Sequence, residues 1–350
     1  MVTLNIIIFK ITFLSILSFL WAWMWTPVVH RLLVRYKLVK RIRDHAAAPI
    51  YAALHKGKEG TPTMGGVLIW ITPLLFALFF AYLALLFEDT LIQQLNFLSR
   101  SQVLLPLGAL VASALVGVVD DLLNIKGLGS FSGLRMRHRF LLYTLIACVG
   151  AWWFYFKLGW DTLHVPFLGD YTIGIWYIPF FIIVIVATAF SVNEADGLDG
   201  LAGGTLLAAF ASFGAIAFTQ GKYDLATFCA VIIGALLAFL WFNIYPAKFF
   251  MGDTGSMSLG VTLGIVAMLT NSALLLPVIC FLYLLETGSV IIQKCSRKLF
   301  GRKLFLSTPF HHHLEARGWQ EPTIVMRFWV IAGVTAVVGV SIVLVERGLY

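Results

Sequence analysis

The sequence predicts an all-α, polytopic integral membrane protein, and three observations carry that prediction. Of the 350 residues, 60% are hydrophobic and only 12% are charged, with a mean hydropathy of +0.91. This balance leaves too little polar surface for a water-soluble domain. The apolar residues gather into repeated runs, most of about 17 to 24 residues, long enough for helices to cross a hydrocarbon layer roughly 30 Å thick. No strand-like alternation of the kind that builds a membrane barrel runs through them.

Ten transmembrane helices follow in order: 6–25, 66–87, 103–119, 140–156, 176–192, 201–219, 225–244, 257–269, 274–292 and 328–345. The first has no basic cluster before it and no small-residue cleavage pattern after it, so it reads as a retained span rather than a removed leader. The eighth is the shortest. Residues 165–174, between spans four and five, place turn residues between short β-prone runs and predict a small hairpin. No linker or low-complexity stretch divides the chain, so one membrane domain over 1–350 is expected.

Orientation follows from the basic residues. The segments after spans one, three, five, seven and nine hold 20 of the 25 Lys and Arg; the other side holds Lys10, Arg100, Lys157, Lys222 and Arg347. By the positive-inside rule the richer loops are cytoplasmic and both termini are periplasmic. Topology therefore accounts for the net charge of +8, and no nucleic-acid partner is expected. Cys148, Cys229, Cys280 and Cys295 lack CxxC spacing and read as packing residues, forming neither disulfide nor zinc site. His30, His45, His138 and His164 stand alone and read as interfacial or loop residues.

Chemistry is concentrated where apolar runs end in acids. Leu115-Val116-Gly117-Val118-Val119 runs into Asp120-Asp121, a pair that hydrocarbon would penalise, since a helix-centre Asp costs about 2.5 to 3.5 kcal/mol on insertion scales. Glu194, Asp196 and Asp199 follow span five, and Asp253 follows span seven. All three clusters thus fall on the cytoplasmic face. One such Asp is as well explained by helix capping or pairing with loop Lys and Arg, but three clusters on one face point to a shared site. Mg²⁺ is usually held by one or two carboxylates plus substrate phosphates, and Asp120, Asp121 and Asp253 suit it better than zinc, which wants His or Cys.

Glycine turns flank the acids, in Asp196-Gly197-Leu198-Asp199-Gly200 and in Gly252-Asp253-Thr254-Gly255-Ser256. Each opens a helix, so free backbone N–H groups and the positive dipole end are candidates to face a phosphate. Thr61-Pro62-Thr63-Met64-Gly65-Gly66, preceded by Lys56 and Lys58, offers either a hydroxyl (Thr63) and an ammonium to an anionic substrate, or an N-cap with topology-setting lysines. His311-His312-His313 point in three directions and cannot easily close one zinc site; phosphate contact or proton handling by one or two of them fits better.

Together, Thr61-Pro62-Thr63-Met64-Gly65-Gly66, Asp120-Asp121, Asn193 with Asp196-Gly197-Leu198-Asp199-Gly200, Phe250-Met251-Gly252-Asp253-Thr254-Gly255-Ser256 and Pro309-Phe310-His311-His312-His313-Leu314-Glu315 resemble the phospho-N-acetylmuramoyl-pentapeptide transferases, or translocase I. The resemblance covers nearly the whole chain. The Asp pairs are shared with the wider polyprenyl-phosphate sugar-1-phosphate transferases, whereas the triple His, followed by Gly318-Trp319-Gln320-Glu321-Pro322 and Arg327-Phe328-Trp329, looks specific to the muramoyl branch.

The resemblance implies a multi-pass enzyme of the bacterial inner membrane with its active site on the cytoplasmic face. It implies transfer of phospho-MurNAc-pentapeptide from UDP to undecaprenyl phosphate, giving lipid I and UMP, with Mg²⁺ as cofactor and a homodimer as the assembly. By the same resemblance Asp253 would hold the metal, Asp120 would act at the lipid phosphate and Asp121 would support the phosphate site. Lys58, Asn193, Asp196, Asp199, Asn243 and Phe250 would line the nucleotide pocket, and His311 and His312 would lie near the phosphates. Three features depart from the family pattern: residues 43–55 lack its Arg-Glu-x-Gly-Pro-x-x-His run, Asn124 replaces a frequent Lys, and Arg139 fills a second basic position. A related enzyme using UDP-GlcNAc is the alternative. A solute transporter is a rival of another class, but it calls for mid-membrane carboxylates and, for inverted halves, an internal repeat that the sequence lacks.

Overall fold

The computed structural model describes residues 2–39, 58–88, 90–99, 101–127 and 133–349. The loop 43–55 with His45, and the basic residues Lys40, Arg41, Lys56 and Arg100, lie outside the described residues.

Among the described residues, eight helices are long and apolar enough to cross a membrane, or nine if one bent pair is a single span. The elements that position the site are α1 (Val2–Arg35), α2 (Val67–Leu86), α3 (Leu104–Lys126), α4 (Met136–Trp152), α5 (Tyr177–Ala195), α6 (Leu201–Thr219), α7 (Tyr223–Asn243), α8 (Asp253–Leu269), α9 (Phe281–Phe300), α10 (Phe310–Ala316) and α11 (Glu321–Leu349). The expected hairpin is present, with Thr162–Val165 antiparallel to Gly169–Thr172. All four cysteines are free.

Several helices outrun the apolar runs that announced them. Helix α3 does not stop at Val119 but carries Asp120 and Asp121 inside it and ends at Gly127, whose φ of 64° supplies the left-handed terminus. It can continue because both acids are buried in protein rather than lipid, at 2% and 3% exposure.

The ninth predicted span, 274–292, is not one helix. Ala273–Ile279 and Phe281–Phe300 meet at 84°. A straight apolar span would have carried Glu286 into hydrocarbon. After the bend, Glu286, Ser289, Gln293 and Ser296 lie buried on one face of α9, while Leu284, Ile291, Ile292, Leu299 and Phe300 are exposed. Spacings of three and four residues place the polar set on a single stripe.

Helix α8 is the centre of the bundle, and all seventeen of its residues are buried. Glycines allow its backbone to meet its neighbours closely. A Cβ added at Gly117 of α3 would stand 2.5 Å from Thr254 Cα, and one at Gly260 would stand 2.7 Å from Ala189 Cα on α5. The Thr61–Gly66 segment is laced to the chain just before α8. The Phe250 N–H donates to Pro62 O (2.8 Å), Gly65 N–H to Phe250 O (2.8 Å) and Gly66 N–H to Met251 O (2.9 Å). That lacing, with Gly66 as an N-cap that makes no side-chain bond, replaces the side-chain cap that the sequence left open.

Candidate active site

Three groups of polar side chains are built where these helix ends meet. The first joins α3, α4, α5 and α8. Asp121 caps α8, its Oδ1 accepting the Asp253 N–H (3.1 Å) and its Oδ2 the Thr254 N–H (3.0 Å). Gly252 makes the entry possible with a φ of 74°. The sequence suggested that these N–H groups face a phosphate; they are instead satisfied by a carboxylate of the protein, which also answers the positive end of the helix. At the other glycine turn the Gly200 N–H donates to Asn243 Oδ1 (3.0 Å) and the Asp199 N–H to Glu321 Oε1 (2.7 Å).

Asp120 and Asp253 are joined by one guanidinium. Arg139 places one terminal nitrogen 2.5 Å from Asp120 Oδ2 and the other 3.0 Å from Asp253 Oδ2. Asp120 Oδ1 also accepts the Leu134 N–H at 2.5 Å. Asn193 donates from Nδ2 to Asp253 Oδ1 and to Ser256 Oγ, both at 2.9 Å. Among the described residues no three His, Cys, Asp or Glu side chains gather as a metal cage. The donor chemistry nevertheless suits Mg²⁺: Asp120 and Asp253 are hard oxygen donors that already share a positive charge, and a Mg²⁺ site needs only one or two carboxylates beside phosphate and water oxygens.

The second group centres on Lys58. Its ammonium lies 2.6 Å from Asp199 Oδ1 and 2.5 Å from Glu321 Oε1, and 5.9 Å from the centroid of the Phe250 ring. Burial by itself lowers the Lys58 pKa, but the carboxylates of Glu321 and Asp199 outweigh it and hold the group above its ordinary value. Asp199 Oδ2 also accepts the Ala247 N–H (3.0 Å). Asn243 ties two loops together, since it holds Gly200 and donates to Phe249 O (2.8 Å). Phe250 is half-buried, with its ring beside the ammonium. Thr63 is enclosed, and its hydroxyl has no hydrogen-bond partner among the described residues. Asp196 ends α5, its N–H donating to Asn193 O (3.1 Å).

The third group is the histidine run on α10. His311 is fully buried, with Nδ1 3.1 Å from Glu286 Oε2 of α9 in an ion-pair contact rather than an aligned hydrogen bond. Burial lowers the His311 pKa, but the Glu286 carboxylate more than reverses this, and the net shift is upward. His312 Nδ1 lies 2.6 Å from Glu315 Oε2. His313 turns elsewhere: its Nδ1 accepts the Leu306 N–H (3.2 Å), and it packs on Phe305 and Phe310. Burial pushes its pKa down, with a further push from Arg317. Gly197 joins this group to the second, because a Cβ there would lie 2.3 Å from His311 Nε2.

The structure thus brings Asp120, Asp121, Asn193 and Asp253 together, and Lys58, Asp199 and Phe250 together, while His313 stands apart from His311 and His312. Sequence reasoning gave no role to Glu286 or Glu321 and treated Arg139 as a departure. Glu321, in the first turn of α11 just before Pro322, carried a signal as an acid at a helix start. Glu286 carried one as a charge inside an apolar run.

Residues 103–271 of this membrane-embedded helix bundle match the profile of Glycosyl transferase family 4. A narrower pattern, phospho-N-acetylmuramoyl-pentapeptide-transferase signature 1, matches residues 58–69. The chain is 38% identical over 325 residues to the phospho-N-acetylmuramoyl-pentapeptide-transferase of Chloroflexus aurantiacus, covering 89% of this chain and 83% of that protein. It is 36% identical over 330 residues to the Geobacillus sp. protein of that name (93% and 96% covered). With that of Desulfosudis oleivorans it shares 36% over 357 residues (96% and 93%). The chain belongs to the phospho-N-acetylmuramoyl-pentapeptide-transferase family.

Proposed function

We propose that the protein transfers phospho-MurNAc-pentapeptide from UDP-MurNAc-pentapeptide to undecaprenyl phosphate, yielding lipid I and UMP, the first membrane step of peptidoglycan synthesis. One observation carries this reading: residues 58–69, matched by the muramoyl-specific signature, are hydrogen-bonded through Gly65 and Gly66 to the Phe250-Met251 backbone that leads into Asp253. The segment specific to this family is therefore built into the acid centre.

In this reading Phe250 stacks on uracil while Lys58, fixed by Asp199 and Glu321, supplies the charge beside it. Asn193 orients Asp253, and Asp121 fixes the backbone that carries it. Asp253 would hold Mg²⁺ with Asp120 beside it; bound there, the ion neutralises charge on the diphosphate. Asp120 aligns the lipid phosphate and removes a proton from it when needed. With a second pKa of about 6, that phosphate is largely dianionic at neutral pH and attacks the β-phosphorus directly. His311 and His312, each beside a carboxylate, steady the phosphates.

The assembly we infer is a homodimer in the bacterial inner membrane, with the acid centre cytoplasmic. Counting the eight long helices, the bent pair and the short α8 gives ten spans, which returns both termini to the periplasm.

The test is product formation by purified protein with polyprenyl phosphate and either UDP-MurNAc-pentapeptide or UDP-GlcNAc. Lipid I should form only with the first, only with Mg²⁺ or Mn²⁺, and not with Asp253→Asn. Turnover of UDP-GlcNAc alone would refute the assignment.

A further inference from the structure

Arg139 lies in the first two turns of α4 and touches carboxylates from two other helices, Asp120 of α3 and Asp253 of α8. The three side chains are 15%, 3% and 8% exposed, so water does little to relieve repulsion between the acids. A positive group between them offsets that repulsion. A guanidinium can do this, because its planar fork presents several donors in fixed directions, whereas an ammonium is a compact point charge.

We infer that Arg139 is the resident counter-cation of this acid pair, and that a divalent cation enters by taking its place on Asp253. The inference rests on Asp253 being a metal ligand, as proposed above. A dication on Asp253 Oδ2 is opposed by a guanidinium nitrogen 3.0 Å from the same oxygen, because the two like charges would stand a few ångströms apart in a site that water screens poorly. The guanidinium leaves Asp253. Asp120 keeps it tethered through the second nitrogen, 2.5 Å away, so it is displaced rather than lost. Metal loading is then an exchange of cations, and affinity for the metal is set partly by an arginine that does not bind it.

The test is Mn²⁺ binding by the purified full chain without nucleotide or lipid phosphate, read by electron paramagnetic resonance rather than by turnover. Arg139→Gln removes the competitor and should tighten Mn²⁺ binding about tenfold, the factor equivalent to 1.4 kcal/mol. Arg137→Gln removes an exposed charge two residues away and should change it little. Should Arg139→Gln not fold, Arg139→Lys decides the question, because it keeps the charge but loses the fork and should bind Mn²⁺ more tightly than the parent. Unchanged or weaker binding in the Arg139 variants overturns the exchange, as does an equal gain in Arg137→Gln, which would mean a general field effect. Loss of the exchange idea is distinguishable from loss of the metal assignment: in the latter, the parent protein binds no Mn²⁺ that Asp253→Asn abolishes.

Discussion

Asp121→Asn separates a structural role from a chemical one. The carboxylate is 3% exposed and accepts two backbone N–H groups at the positive end of α8, at 3.1 and 3.0 Å. Asparagine keeps the shape and one acceptor oxygen, but its amide would point a donor at the second N–H. The loss is one hydrogen bond to a charged group, about 1.5 to 3 kcal/mol, plus the charge at the helix start, worth up to about 2 kcal/mol where partly buried. A total of roughly 2 to 5 kcal/mol should lower the thermal transition of the detergent-solubilised protein by about 3 to 7 °C. Well below that transition the variant should still bind UMP with unchanged affinity. Thermal unfolding followed by reactivity of the buried Cys229 and Cys280 thiols gives the first quantity, and equilibrium dialysis gives the second. A wild-type transition combined with abolished turnover would show that Asp121 acts on substrate and that its capping is incidental.

Replacing Phe250 by Ala should weaken nucleotide binding by roughly 5 to 150-fold, the range for loss of one base-stacking aromatic; unchanged affinity would make the ring mere packing. His311 has a pKa raised above the usual 6.5, so its charged contact with Glu286 is fully present below about pH 6.5 and is lost as pH rises through the raised value. In Glu286→Gln the alkaline fall of kcat/KM should therefore move to lower pH, and an unmoved limb would detach Glu286 from the histidine. Single cysteines placed beside Asp120, Asp196, Asp253 and His312 should resist membrane-impermeant reagents on intact cells; labelling at any one of them before permeabilisation would break the one-faced site. Labelled UMP should not exchange into the UDP-sugar in enzyme stripped of lipid phosphate, whereas exchange at the rate of turnover, lost in Asp120→Asn, would establish a covalent intermediate.

Hydropathy located the helices, and α6 matches its apolar run, 201–219, at both ends. It missed the features that tertiary partners create. The extension of α3 through Asp120 and Asp121 was invisible because their partners, Arg139 and the start of α8, come from distant parts of the chain. The bend before α9 was hidden for the same reason, since its polar stripe is buried by tertiary contacts that a hydropathy window cannot see. The acids themselves were legible, because a carboxylate at the end of an apolar run needs a reason to be there. Glu286 and Glu321 became meaningful only once His311 and Lys58 stood beside them.

The burial of α8 bears on how the chain enters a membrane. Seventeen residues at 1.5 Å each span roughly 25 Å, short of a hydrocarbon layer roughly 30 Å thick. The helix also carries Asp253, Thr254, Ser256, Ser258 and Thr262. Leaving a translocation channel alone, such a segment gains little from lipid. Its favourable environment is made by α2, α3 and α5, which are synthesised earlier and pack against it. Integration of α8 should therefore depend on those helices already being in place, and a truncated chain beginning after α5 should fail to hold it in the bilayer even though every residue of α8 is intact.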